Sequence, residues 1–197
     1  MNNNTAFFRL AGWCAYLSAA MTVLGLVTFI LFLSLMQSQG AGNSWGPIND
    51  LTSVIGALAN IVILIAMYRL FRQTAPAVSL ITTLISATAM TVVVSLQSLL
   101  ILKVIEFATT AVAVPAAYGV FGAGLIVYAR LASRAAVWSK RLIGLGILAG
   151  VGYILTIAGF LVGGPQNLVV YAGGLLTAIC ATAWAIGFGR MLLKQSG

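Results

Sequence analysis

The chain has 197 residues, 61% of them hydrophobic and only 6% charged, with a formal net charge of +8 and a mean hydropathy of +1.10. Soluble domains are about half apolar and a quarter charged, so this composition excludes a water-soluble fold and fits a bilayer. The basic excess does not mark a nucleic-acid partner: the cations stand in ones and twos at the ends of apolar runs, with no stripe and no interleaved aromatics.

Charge-free gaps set the elements in chain order, since a helix needs about 20 residues to cross hydrocarbon. The first span falls at about 11–36 and ends without a convincing small-x-small cleavage site, so it is expected to be retained rather than removed as a signal. A Gly-, Ser- and Asn-containing connection, Gln37–Asp50, leads to the second span at about 51–71. The third follows at 78–102 and the fourth at 111–131. The gap from Arg141 to Arg190 holds two more, at 142–162 and 168–193, divided by "GGPQN". The expectation is an all-α integral membrane protein, a single domain over 1–197 with six transmembrane helices in one bundle.

Arg9, Arg69, Arg72, Arg130, Arg134, Lys140, Arg141, Arg190 and Lys194 share one side of this arrangement, and Lys103 alone takes the other. That bias puts both termini in the cytoplasm. Trp13, Tyr16, Tyr68, Tyr128 and Trp138 are expected at the inner interface and Trp45, Tyr118 and Tyr171 at the outer, while Trp184 lies deep enough to pack between helices. Glu106 stands three residues after Lys103 and can pair with it if the helix continues that far.

"GPIN" at Gly46–Asn49 has an echo in "GPQN" at Gly164–Asn167, each before an apolar run. Proline is tolerated at a helix start, and Asn49 and Asn167 are suited to cap first-turn amides. Asp50 adds a negative charge at the positive end of its helix. Inner endings recur as "MYRLF", "VYARL" and "FGRML". Three tandem hairpins from one unit would explain the echo, and common punctuation of membrane helices explains it more simply.

The chain contains no histidine and only two acids, neither in mid-span, so metal sites, haem ligation and the usual general bases are missing. No enzyme activity, cofactor or metal is expected. Cys14 and Cys180 read as small core residues rather than a disulfide or zinc site.

Neutral polarity remains. Asn60 falls at the centre of the second span, an expensive position for a lone amide. In the third span Thr88, Thr91, Ser95 and Ser98 recur at helical spacing as one stripe, with Ser86 and Gln97 facing elsewhere. Asn60, Gln97 and the stripe either line a cavity for a polar or amphipathic ligand or make interhelical hydrogen bonds, the second being the simpler reading. In the fifth span Gly146 and Gly150 form GxxxG, a helix-packing face for the last hairpin or for a homo-oligomer or docking partner.

"GPINDLTSVIGALANIVILIAMYRLFRQTAP" and "LGILAGVGYILTIAGFLVGGPQNLVVYAGGLLTAICATAWAIGFGRMLL" together resemble bacterial six-span membrane proteins of the DUF4386-like type. The resemblance covers about half the chain and implies an uncharacterised multipass protein with no catalytic residues to carry over. The function expected is a non-enzymatic inner-membrane accessory or scaffold subunit, held in lipid and associating through small-residue helix faces. The alternative is a small transporter, channel or lipophilic-ligand binder using a polar cavity near the third helix.

Overall fold

A computed structural model describes residues 3–39, 44–164 and 166–195. Seven helices follow in order: α1 Asn3–Gln39, α2 Trp45–Phe71, α3 Pro76–Ile101, α4 Phe107–Thr110, α5 Ala113–Ala135, α6 Lys140–Gly163 and α7 Leu168–Gln195. Six of them are long and apolar enough to cross a membrane, and α4 is a single turn leading into α5. Outward-facing side chains such as Leu58, Leu84 and Ile179 are exposed, as expected of a membrane-embedded protein.

The long helices form a ring. Each packs against its neighbours in sequence, and α7 closes the circle on α1. Neighbours run antiparallel, as the contacts fix. Ser18 meets Asn60 while Thr28 meets Asn49 between α1 and α2. Gly12 at the start of α1 lies against Gly189 and Leu193 near the end of α7. Both described chain ends therefore lie at one end of the ring, with the nine cations named together above; we call this the basic end.

Small residues set the close approaches. A Cβ on Gly122 of α5 would sit 2.8 Å from the Gly150 carbonyl oxygen of α6, and one on Gly152 would sit 2.8 Å from the Thr177 amide of α7. Four hydroxyls are satisfied within their own helices: Thr22, Thr83, Thr91 and Thr156 each donate to the carbonyl four residues back.

Several element ends depart from expectation. Helix α2 begins at Trp45, so Asn49 and Asp50 lie inside it rather than before it. Its N-cap residue is Ser44, and Asn49 Oδ1 instead accepts from Thr28 Oγ1 at 3.3 Å. The reason is that Pro47 fits within a first helical turn, whose amides need no partner there. Asn167 does cap: its Oδ1 accepts from the Val169 amide at 2.8 Å. Pro165 of the second echo lies outside the described residues, as does 40–43 of the first connection. Helix α3 ends at Ile101 and Lys103 takes a left-handed backbone, φ 58°, so Glu106 is not on the same helix. Among the described residues no ion pair joins the two.

The basic end is sealed by aromatics. Ala136 turns left-handed after α5, Ser139 caps α6 by accepting from the Leu142 amide, and the short turn between them carries Trp138 into the ring. Trp138 lies edge-on to Phe71 and to Phe188, with centroids 5.9 and 5.4 Å away, and Trp184 stacks on Phe188 at 5.0 Å. Tyr128 joins them from α5, its hydroxyl within hydrogen-bonding reach of Thr83 Oγ1 and of the Ser79 carbonyl. Trp138 and Tyr128 are thus buried plug residues, not members of an interfacial belt, because the turn and the hydroxyl pairing draw them inward. Trp184 packs between helices, and Trp13 is exposed. Cys14 and Cys180 are free thiols.

Candidate functional site

Above the aromatic plug the ring is hollow. A cavity of about 830 Å³ opens at the end opposite the basic one and is lined from all seven helices. Ligand pockets for small molecules occupy about 300–1,000 Å³, so this volume is one a drug-sized or single-chain amphipathic molecule fills.

Its walls are mainly apolar and aromatic. Leu26 and Phe29 face it from α1, Val114 and Tyr118 from α5, and Tyr153 and Phe160 from α6. Tyr118 and Tyr153 stack with centroids 5.7 Å apart, and the Tyr118 hydroxyl reaches the ring's other side to donate to the Ser53 carbonyl of α2 at 3.3 Å. At the mouth Phe107 of α4 lies edge-on to Phe32 of α1, 5.2 Å between centroids. Helices α1 and α5 stand on opposite sides of the ring, so this contact makes α4 a strap across the opening.

Polar groups are few and placed. Asn60 lies fifteen residues into α2, roughly 22 Å below its start at ~1.5 Å per residue, and its Oδ1 accepts from Ser18 Oγ of α1 at 2.7 Å. Gln97 of α3 and Thr177 of α7 are 5% and 7% exposed. Gln97 Oε1 and Thr177 Oγ1 have no hydrogen-bond partner, although both residues line the cavity. A buried polar atom without a partner costs about 1–3 kcal/mol, a cost that a hydrogen-bonding molecule or water in the cavity would relieve once the side chain turns toward it. Near the mouth Asp50 is 8% exposed, and Lys103 and Glu106 line the rim.

The polar residues singled out in the sequence divide into two groups. Asn60 and Gln97 both line the cavity wall, Asn60 at mid-depth and Gln97 near the mouth. Thr88, Thr91 and Ser95 instead lie on the opposite face of α3, where with Leu84, Ala87, Val92 and Leu96 they border a shallow outer groove. Thr91 needs no interhelical partner, since it donates to the Ala87 carbonyl. Ser98 is half-buried and is not on the cavity wall. Ser86, facing away from that stripe, is buried against Gly124 of α5.

The packing face is occupied from within. A Cβ on Gly146 would touch Trp184 of α7 at 3.1 Å, and one on Gly150 would touch Ile126 of α5 at 2.6 Å. Ser18, Asp50, Tyr153 and Thr177 also belong to the site or its support and were not anticipated. A lone hydroxyl such as Thr177 in an apolar run carries no sign that it lacks a partner, and Asp50 looked interfacial only because α2 was expected to start later.

Fold and cavity define a ring of six helices long and apolar enough to cross a membrane, with an internal pocket closed at its basic end. Comparison with protein-family models, curated proteins and solved structures yields no match.

Proposed function

We propose that the chain is a non-enzymatic multipass protein of the bacterial inner membrane that binds an amphipathic ligand in the cavity from the outer side. The observation that carries this is the hollow half of the ring: an apolar chamber holding two buried polar atoms, Gln97 Oε1 and Thr177 Oγ1, that no protein group satisfies. Chambers of this make, apolar walls with a few convergent polar groups, are the usual form of small-molecule sites. The aromatic plug at the basic end favours binding over a continuous pore. The orientation, with termini in the cytoplasm and the mouth outside, rests on the nine-to-one placement of cations. The bacterial setting rests on the DUF4386-like resemblance. Absence of histidine and the presence of only two acids support a role without catalysis.

An accessory or scaffold role through small-residue faces has less support, because Gly146 and Gly150 are spent on contacts inside the chain. The two readings separate on extraction in mild detergent followed by native mass spectrometry. Ligand binding predicts an amphipathic molecule retained by the native chain and lost from Gly174→Phe, whose new ring would enter the cavity from a position with only Leu26 nearby. Recovery of an empty chain in stoichiometric complex with another protein would overturn the proposal in favour of the scaffold.

A further inference from the structure

This inference deepens the proposed function and rests on it: we infer that the ligand's head group is a primary ammonium, with Asp50 as its counter-ion. Asp50 lies five residues into α2 and Gln97 four residues before the end of α3. At ~1.5 Å per residue both stand roughly 6–8 Å in from the mouth on adjacent helices. Asp50 is buried, faces the cavity, and has the Asn49 side chain rather than a cation beside it. A carboxylate withdrawn from water needs a compensating charge, and within this ring the space it faces is the cavity.

The second observation is independent of charge. Gln97 Oε1, on a side chain 5% exposed, is an acceptor without a donor at Asp50's depth, whereas Thr177, nine residues into α7, lies roughly 13 Å in, below the head group. An alkylammonium carries three N–H donors and no acceptor, which suits one carboxylate and neutral acceptors together. A quaternary ammonium has no such donors. An anionic head would meet the buried carboxylate of Asp50, while the rim charges Lys103 and Glu106 are opposite in sign and both exposed, where water screens them. The apolar tail then lies against Leu26 and Phe160.

The test compares three probes with one twelve-carbon chain, dodecylammonium, dodecanol and dodecanoate, bound to the full-length protein in maltoside micelles and counted by native mass spectrometry. The expected order has dodecylammonium about tenfold tighter than dodecanol, the scale of a charge-assisted hydrogen bond, with dodecanoate weakest. Asp50→Asn should lower dodecylammonium to the level of dodecanol and leave dodecanol unchanged. Glu106→Gln, at the exposed rim, is a second variant that does not disturb packing and should lower dodecylammonium by about two- to threefold. Equal binding of the three heads to the native chain, or an ammonium preference that survives both substitutions, overturns the head-group assignment and leaves the cavity reading standing. Failure of all three probes to bind overturns the cavity reading itself.

Discussion

Ser18 Oγ donates to Asn60 Oδ1 at 2.7 Å, joining α1 to α2 at mid-depth, beside the cavity floor. Both side chains are buried, and in hydrocarbon an amide at this depth has no water to turn to. Asn60→Leu is expected to destabilise the fold, and a double-mutant cycle with Ser18→Ala should return a coupling of about 0.6 kcal/mol, and no more than ~2 kcal/mol. Denaturant unfolding in detergent measures it; additive single mutants would show that the bond is not made.

Gly150 is expected to reject a methyl group. Its Cβ would press on the Gly122 backbone and on Ile126, and the backbone of α5 cannot withdraw without opening the ring. Gly150→Ala should cost about 1–3 kcal/mol, whereas Gly144→Ala, with nothing within 4 Å, should be neutral or stabilise by up to ~1 kcal/mol. Light scattering of both variants should show the native oligomeric state, since the glycine face is internal. A change of assembly in Gly150→Ala with unaltered melting would contradict that placement.

Phe107→Ala should loosen the strap without unfolding the ring. The edge-on pair with Phe32 is of a kind contributing about 0.5–1.5 kcal/mol, so release of a bound twelve-carbon probe should quicken by about two- to tenfold. The melting transition should hardly move, because α4 is one turn long. Stopped-flow displacement reads the rate, and an unchanged rate would show that the contact does not gate the mouth.

Orientation is open to a labelling experiment. With Cys14→Ala and Cys180→Ala as background, Lys103→Cys should react in intact cells with a membrane-impermeant maleimide. Lys194→Cys should react only after permeabilisation. The opposite pattern would place the cavity mouth in the cytoplasm.

The six helices were legible because hydrocarbon imposes a length and cations punctuate it. Arg72 and Lys140 fall just outside the apolar runs they bound or at their first residue. The end of α2 nearest the mouth was not legible, because a proline such as Pro47 is equally at home just before a helix or in its first turn. Half of the site could be read, since Asn60 and Gln97 are amides in apolar helices and must be answered by something. The stripe of Thr88, Thr91 and Ser95 pointed elsewhere for the opposite reason: a hydroxyl can be satisfied by its own helix, so its spacing says nothing about a neighbour. Trp138 looked interfacial in sequence because the left-handed turn at Ala136 that swings it inward is carried by an alanine, without the glycine that would have announced it.

The seam between α1 and α7 has a bearing on how the molecule is made. Gly12 and Gly189 touch in the finished ring yet are separated by 177 residues of chain. At ~5–20 residues per second a ribosome needs roughly ten to thirty-five seconds to supply the second after the first. Throughout that interval the opening helix has a flank shaped for a partner that does not exist, and the chamber has a missing wall. Biogenesis must shelter that flank until the last helix arrives, and only then does the pocket come into being.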